Sequence, residues 1–171
     1  MIWIKIMGQI LVVAAAAYVG ASASERLKRR TLLLEKCQSF LTFTATMIRY
    51  SHATVGEIME SASRQEEFKE LGFPAGCHAL LEEGFPFPEA WQHSLDCCKG
   101  LCLDSGDRSL LAELGGSLGT SDVEGQLETI RLFETRLSLR LDGARELQKT
   151  KGKLYRSLGV LSGLGLVVLL I

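Results

Sequence analysis

The sequence IMGQILVVAAAAYVGASA occupies residues 6–23 and decides how the rest of the chain is interpreted. These eighteen residues carry no charge, and as a helix rising about 1.5 Å per residue they would extend for about 27 Å. That length is close to the roughly 30 Å hydrocarbon core of a bilayer, so the stretch predicts a transmembrane helix. Trp3 and Lys5 precede it and suit one membrane interface. Four cations follow it closely, namely Arg26, Lys28, Arg29 and Arg30.

A cleaved signal peptide is the alternative interpretation, because residues 21–23 (ASA) resemble a small-residue cleavage site. Signal peptides, however, carry their positive charge ahead of a shorter apolar run of roughly 7–15 residues. Here only Lys5 precedes the run, and the main basic cluster follows it. This arrangement favours a retained anchor whose basic flank lies in the cytosol.

The chain ends on a second apolar stretch, LGVLSGLGLVVLLI at residues 158–171. Its fourteen residues would cover about 21 Å, and including residues 154–157 extends the stretch to eighteen. Arg156 would then reach toward the membrane surface, with Tyr155 at the level of the headgroups. A buried core helix is the alternative for so short a run. The absence of charge and the basic residues on its inner side favour a second transmembrane helix.

Both basic clusters face the middle of the chain. The positive-inside rule therefore predicts that this middle part lies in the cytosol and that both termini lie outside. The predicted organisation is a membrane hairpin. It has an N-terminal anchor at 1–24, a cytosolic all-α domain at 25–153 and a C-terminal anchor at 154–171.

Small residues four positions apart occur in both predicted anchors. Ala16 and Gly20 form such a pair in the first, and Gly159 and Gly163 form a G-x-x-x-G motif in the second. Small side chains let membrane helices approach closely, so these residues are predicted to pack against another helix. The partner is either the other anchor of the same chain or an anchor of a second chain.

Charge is distributed very unevenly between the anchors. Residues 25–49 carry a net charge of +4, residues 50–128 carry −11, and residues 129–156 carry +5. The basic stretches adjoin the anchors, where anionic headgroups attract them by about 1 kcal/mol per nearby Lys or Arg. The acidic stretch has two interpretations, a solvated region repelled by the bilayer or a docking face for a basic protein. The candidate docking residues are Glu66, Glu67, Glu70, Glu82 and Glu83.

Between the anchors, the spacing of apolar residues predicts a bundle of about six helices. Apolar residues recur at steps of three and four along 26–49 and 123–147, which predicts two long helices leading to the anchors. Capping and breaking signals divide the part between them into shorter helices. They are a T-x-x-E capping box at Thr54, prolines at 74 and 88, and Gly119 as a C-cap. The expected ranges are about 54–70, 74–83, 88–98 and 107–118.

Residues that could carry chemistry are few and scattered. The cysteines are Cys37, Cys77, Cys97, Cys98 and Cys102, an odd number that favours reduced thiols in a cytosolic domain. A zinc site would need His93, Cys97 and either His78 or Cys77, but no CxxC pair supports it. No phosphate-binding loop or nucleophile signature occurs. We therefore expect no enzyme activity, cofactor, metal or nucleic-acid partner, with a metal or redox sensor as the alternative function.

Four motifs carry a family resemblance. They are ERL at 25–27, EAWQHSL at 89–95, LGTSD at 118–122 with Gln126, and KLYRSLG at 153–159. Together with the two anchors, these motifs resemble the stage III sporulation protein AB family of endospore-forming bacteria. The stretch IRYSHAT at 48–54 departs from the glycine- and proline-containing turn that is more usual there.

The resemblance implies a membrane component of the channel complex between mother cell and forespore, located in the mother-cell membrane around the forespore. It implies a helical domain similar to those of F-type platform proteins of type II secretion and type IV pilus systems. The implied partners are a cytosolic secretion-type ATPase of the same operon, other membrane proteins of the channel complex, and membrane lipids. A self-assembling membrane scaffold without an ATPase is a further alternative.

Overall fold

The structure is a computed structural model that describes residues 2–98 and 102–169, and every regular element within these residues is a helix. The predicted all-α fold class is therefore confirmed. Two long helices are α1 (Ile2–Ser51) and α6 (Val123–Leu169). The shorter elements between them are α2 (Val55–Ser63), a 3-10 helix (Glu66–Leu71), α3 (Phe73–Glu82), α4 (Phe87–Cys97) and α5 (Ser105–Ser117).

The chain divides into two compact units. One, which we call the two-helix unit, contains the described residues up to Thr31 and from Gly143 onward, and therefore only parts of α1 and α6. The other, the core unit, is Leu32–Asp142 and contains the remaining parts of α1 and α6 with all the shorter helices.

The core unit is organised around an aromatic cluster. The ring of Phe40 in α1 lies 5.6 Å from Phe68, 5.4 Å from Phe73 and 6.1 Å from Trp91, measured between ring centroids. All four side chains are buried. The Trp91 indole Nε1–H donates to the Leu111 carbonyl oxygen at 2.8 Å, which satisfies the only polar atom of that side chain. The cluster therefore joins α1, the 3-10 helix, α3, α4 and α5.

Several predicted helix starts are confirmed. The Glu57 carboxylate accepts from the Thr54 backbone N–H at 2.7 Å, and the Thr54 hydroxyl oxygen accepts from the Glu57 N–H at 3.3 Å, which completes the capping box of α2. Pro74 and Pro88 lie in the first turns of α3 and α4, where the lack of an N–H costs nothing. Gly119 follows α5 with a φ of 78°, a conformation that favours glycine.

The helix expected at about 54–70 is shorter than predicted. It ends at Ser63, Gln65 is extended, and a separate 3-10 helix follows. Two side chains of this 3-10 helix, Phe68 and Leu71, are buried and lie three residues apart. With three residues per turn, a 3-10 helix brings both onto one face.

The start of α5 also differs from the prediction, which began this helix at about residue 107. The Asp104 carboxylate accepts from the Asp107 N–H at 2.8 Å, and the Asp107 carboxylate accepts from the Asp104 N–H at 3.1 Å. This second capping box starts the helix at Ser105 and places Gly106 inside its first turn. The usual capping-box pattern does not predict this box, because the residue that closes it is Asp rather than Glu or Gln.

The two-helix unit exposes many large apolar side chains. They are Met7, Leu11, Tyr18 and Val19 on α1, and Leu154, Tyr155, Leu158 and Leu161 on α6. Within the described part of the chain, no helix is both long and apolar enough to cross a membrane.

Candidate protein-interaction surface

The first group of candidate docking residues lies on the 3-10 helix. Glu66, Glu67 and Glu70 are all exposed, and we call them the 3-10 acidic group. Lys69 pairs with Glu66 at 2.5 Å, and Lys36 pairs with Glu70 at 3.4 Å while also donating to the Glu67 carbonyl oxygen at 3.1 Å. These exposed pairs are weak, and the three glutamates exceed the two lysines by one charge. The group therefore remains a solvent-facing acidic patch.

The second group lies at the other end of α3. Glu82 is its last residue and Glu83 its C-cap, and both are exposed. Within the described residues, neither side chain takes part in a salt bridge or hydrogen bond. Negative charge at a helix C-terminus opposes the helix dipole, so these two glutamates do not stabilise α3.

The five predicted docking residues therefore do not form one cluster. The ten residues of α3 separate the 3-10 acidic group from Glu82 and Glu83, a span of about 15 Å. Sequence alone places all five in one acidic stretch, and the structure divides that stretch into two surfaces that can be tested separately.

A tight turn directly after α3 presents an aromatic side chain beside the second group. Gly84 has a φ of 91°, and its N–H donates to the Leu81 carbonyl oxygen at 3.0 Å. The Phe85 N–H donates to the Leu80 carbonyl oxygen at 3.0 Å, which completes a Schellman motif. Phe85 is 44 % exposed. We call Glu82, Glu83 and Phe85 together the acidic-aromatic turn.

Asp107 is a buried carboxylate that the sequence analysis did not single out. Its oxygen accepts from Arg140 Nη1 at 3.2 Å, in addition to its role in the capping box of α5. A Cβ on Gly106 would lie 2.4 Å from the same guanidinium nitrogen, so glycine leaves the space through which Arg140 approaches. These contacts fix α5 against α6 in the core unit. The burial of Asp107 is thus explained by structure and does not indicate catalysis.

The comparison with known proteins decides the family. Residues 5–171 match the family described as stage III sporulation protein AB (spore_III_AB). The chain belongs to this family. It is also similar to stage III sporulation protein AB of Bacillus subtilis (strain 168), with 24 % identity over 169 residues, covering 98 % of this chain and 99 % of that protein. No solved structure matches it. The resemblance inferred from the motifs is confirmed, and with it a role in sporulation.

The cysteines of this stage III sporulation protein AB family member fall into different environments. Cys37 and Cys77 are buried, and burial raises the pKa of each thiol to about 12; the negative charge of Asp107 adds to the effect at Cys37. Both are therefore protonated at neutral pH, whereas metal ligation requires thiolate. Cys97 is exposed at the end of α4. Among the described residues, no three His, Cys, Asp or Glu side chains are grouped to hold a metal ion.

The predicted packing residues of the anchors lie in the two-helix unit. Ala16 is half-buried and Gly20 is buried. α1 and α6 approach each other in this unit, since a Cβ on Gly152 would lie 3.5 Å from the Ser24 hydroxyl oxygen. Gly159 and Gly163 belong to α6, and residues 170–171 of the second predicted anchor lie outside the described residues. Membrane packing by all four small residues stays a prediction.

Proposed function

We propose that this chain is a non-enzymatic membrane platform of the channel complex between mother cell and forespore, and that it couples a cytosolic secretion-type ATPase to the channel. Membership of the stage III sporulation protein AB family supports the sporulation setting. The observation that carries the platform role is the division into a basic unit with exposed apolar helices and an acidic unit with a packed core.

Exposed apolar side chains in the two-helix unit support membrane anchoring. Met7 is 74 % exposed and Tyr18 is 75 % exposed. Transfer of apolar surface out of water is favourable by about 25 cal/mol per Å², so these helices gain free energy from a hydrocarbon environment. Membrane lipids are thus proposed partners of residues 1–24 and 154–171.

The two units differ strongly in net charge, and this difference supports the proposed orientation. The chain positions assigned to the two-helix unit carry ten cations and two anions, a net charge of +8, and those of the core unit carry nine cations and eighteen anions, a net charge of −9. Basic residues beside a membrane helix favour the cytosolic side and attract anionic headgroups. We therefore propose that residues 25–153 are cytosolic in the mother cell and that both termini lie outside.

The acidic surfaces at the two ends of α3 are the proposed contacts with the ATPase. Opposite charge accelerates encounter and fixes register between partners. Glu82 and Glu83 lie at the C-terminus of α3, where their negative charge opposes the helix dipole, so a basic partner surface could bind them without a loss of stability in their own helix.

A pull-down of the ATPase by the membrane-embedded full chain tests this docking. One variant changes Glu66, Glu67 and Glu70 to Lys, a second changes Glu82 and Glu83 to Lys, and a third combines all five substitutions. We expect at least about a tenfold loss of recovered ATPase in the combined variant, because like charges would then face each other. The two smaller variants show which end of α3 carries the contact.

The matched control changes Glu124 and Glu128 to Lys, two exposed residues of α6 in the same unit, and it should retain ATPase binding. Wild-type recovery in the combined variant would refute the docking surface.

Topology is tested separately in vegetative cells that produce the full chain. The cysteine of an Ile2→Cys variant should react with a membrane-impermeant maleimide in intact cells, because the N-terminus is proposed to lie outside. The exposed Cys97 should react only after lysis. Labelling of Cys97 in intact cells would contradict the proposed orientation without bearing on the ATPase contact.

A further inference from the structure

A small cleft opens between α1 and α6 within the core unit. Its volume is about 190 Å³, and the apolar part of its lining includes the buried Ile130 and the half-buried Leu127. Drug-sized ligands occupy pockets of roughly 300–1,000 Å³, so this cleft has the size for one protein side chain rather than for a cofactor. Arg49 and Arg131 lie in its wall and are exposed.

The charges of this cleft are not balanced by the chain itself. In the described part of the chain, Arg49 and Arg131 form no ion pair and their side chains donate no hydrogen bond. The one carboxylate in the lining, Glu134, accepts from the Thr42 hydroxyl at 3.1 Å. Two guanidinium groups beside an apolar lining are suited to an apolar side chain flanked by carboxylates.

The acidic-aromatic turn has the complementary composition. It projects one large apolar side chain, Phe85, next to two glutamates without a described partner. The Schellman hydrogen bonds hold the backbone of the turn, so little conformational entropy is lost when it docks. Protein interfaces commonly place one aromatic anchor in a pocket and surround it with polar contacts.

We propose that the acidic-aromatic turn of one copy docks into the cleft of a second copy. Phe85 enters the apolar lining, and Glu82 and Glu83 pair with Arg49 and Arg131. The two surfaces are different patches of the same chain, so the contact is heterologous. Copies joined in this way form a ring if the rotation closes and an extended row if it does not. The 3-10 acidic group takes no part in this contact. In a copy whose turn is docked, Glu82 and Glu83 are occupied and only the 3-10 acidic group stays available to the ATPase, whereas a copy with a free turn offers both acidic surfaces.

A charge-swap experiment with the purified full chain in detergent micelles tests the contact. The cleft variant carries Arg49→Glu and Arg131→Glu, and the turn variant carries Glu82→Arg and Glu83→Arg. Self-association is measured by energy transfer between donor- and acceptor-labelled copies. We expect each variant alone to associate at least about tenfold more weakly than the wild type, because its junctions bring like charges together.

Mixing the two variants is the decisive measurement. Each junction between unlike variants again joins opposite charges, so association between the two variants should return to within about threefold of the wild type. Controls with the same changes of charge are Arg64→Glu with Lys69→Glu, and Asp96→Arg with Glu124→Arg. All four positions are exposed, and we expect wild-type association from both controls.

Two outcomes would overturn the proposal. One is wild-type association of either charge variant alone, and the other is a mixture that does not recover, which would assign these charges to a different partner.

Phe85→Ala leaves every charge in place and should also weaken association at least about tenfold, so an unchanged value refutes the anchor and with it the contact. Circular dichroism of each variant verifies that it folds. No ATPase is present, so the result is independent of the proposed coupling.

Discussion

The two-helix unit and the core unit are built from the same two helices but surround them differently. In the core unit the apolar faces of α1 and α6 are buried, as at Phe40 and Phe133, because the shorter helices cover them. In the two-helix unit those helices have no shorter neighbours, and Met7 and Leu161 remain exposed. An apolar helix surface can thus be satisfied by protein in one part of the chain and, under the proposed function, by lipid in another.

The largest expected difference between the units comes from removing an aromatic side chain. Trp91→Ala leaves a cavity in the aromatic cluster and removes the indole hydrogen bond to the Leu111 carbonyl oxygen, so we expect a loss of about 3–5 kcal/mol in the free energy of unfolding of the core unit. Tyr18→Ala removes an aromatic side chain from the exposed surface of the two-helix unit. It should change the free energy of unfolding of the core unit by less than about 0.5 kcal/mol.

The measurement is maleimide labelling of the buried Cys77 in the full chain, resolved by mass spectrometry. Since about 1.4 kcal/mol corresponds to a tenfold change, Trp91→Ala should accelerate labelling at least a hundredfold. Equal acceleration by Tyr18→Ala would show that the two units do not differ in the way described.

Glycine-to-alanine substitutions should have effects of intermediate size on stability, and the sign of the effect should differ between Gly115 in the core unit and Gly143 in the two-helix unit. A Cβ on Gly115 would lie 2.0 Å from Trp91 Cδ1, so Gly115→Ala must displace a rigid ring and should lower stability by about 1–3 kcal/mol. A Cβ on Gly143, in the two-helix unit, meets nothing within 4 Å. Because alanine favours helix over glycine, Gly143→Ala should instead raise stability by up to about 1 kcal/mol.

Gly116 is the control within α5, since its Cβ would also meet open space and Gly116→Ala should behave like Gly143→Ala. Thermal unfolding, monitored by circular dichroism, measures the stability of all three variants. A stabilising Gly115→Ala would contradict the described packing of Trp91.

The smallest expected effect concerns two threonines in different helix positions. Thr54→Ala removes the capping hydroxyl of α2 and should cost about 1 kcal/mol. Thr150→Ala, in the two-helix unit, removes only a hydroxyl that donates to the Glu146 carbonyl oxygen within α6, at 2.8 Å, and should not lower stability. Urea unfolding of both variants measures the difference, and equal losses would count against the capping role of Thr54.

The same cap makes a pH prediction. The Thr54 backbone N–H, and then its hydroxyl, hold the pKa of the Glu57 carboxyl below its usual value. The ionised carboxylate therefore stabilises the folded state at neutral pH, and this contribution is lost as the pH falls through the lowered pKa. Melting temperatures of the wild type and of Glu57→Gln should differ at neutral pH and converge as the pH falls below the lowered pKa. A difference in melting temperature that grows as the pH falls would contradict the prediction that the ionised Glu57 carboxylate stabilises the folded state.

Sequence predicted the parts of the fold that depend on local spacing and capping. The apolar stripes of α1 and α6, the box at Thr54 and the first turns at Pro74 and Pro88 all follow from neighbouring residues. The break after Ser63 was missed because it depends on burying Phe68 and Leu71 against other helices.

The candidate site was predicted only as a set of residue types. Sequence identified Glu66 and Glu82 as members of one acidic stretch and predicted the helix between them, but the separate 3-10 helix that carries Glu66 appears only in the structure. Arg49 and Arg131 line the same cleft although they are far apart in the sequence, so no pattern among neighbouring residues predicts that they lie together.

The hydrogen-bonded indole in the aromatic cluster has an optical consequence. The chain contains two tryptophans, so Trp3→Phe leaves Trp91 as the only indole chromophore. Trp91 is 1 % exposed, and water-borne quenchers such as iodide cannot reach it in the folded state. Its emission should therefore be blue-shifted and unquenched until the surrounding helices separate, which gives the core unit an intrinsic reporter that needs no added dye.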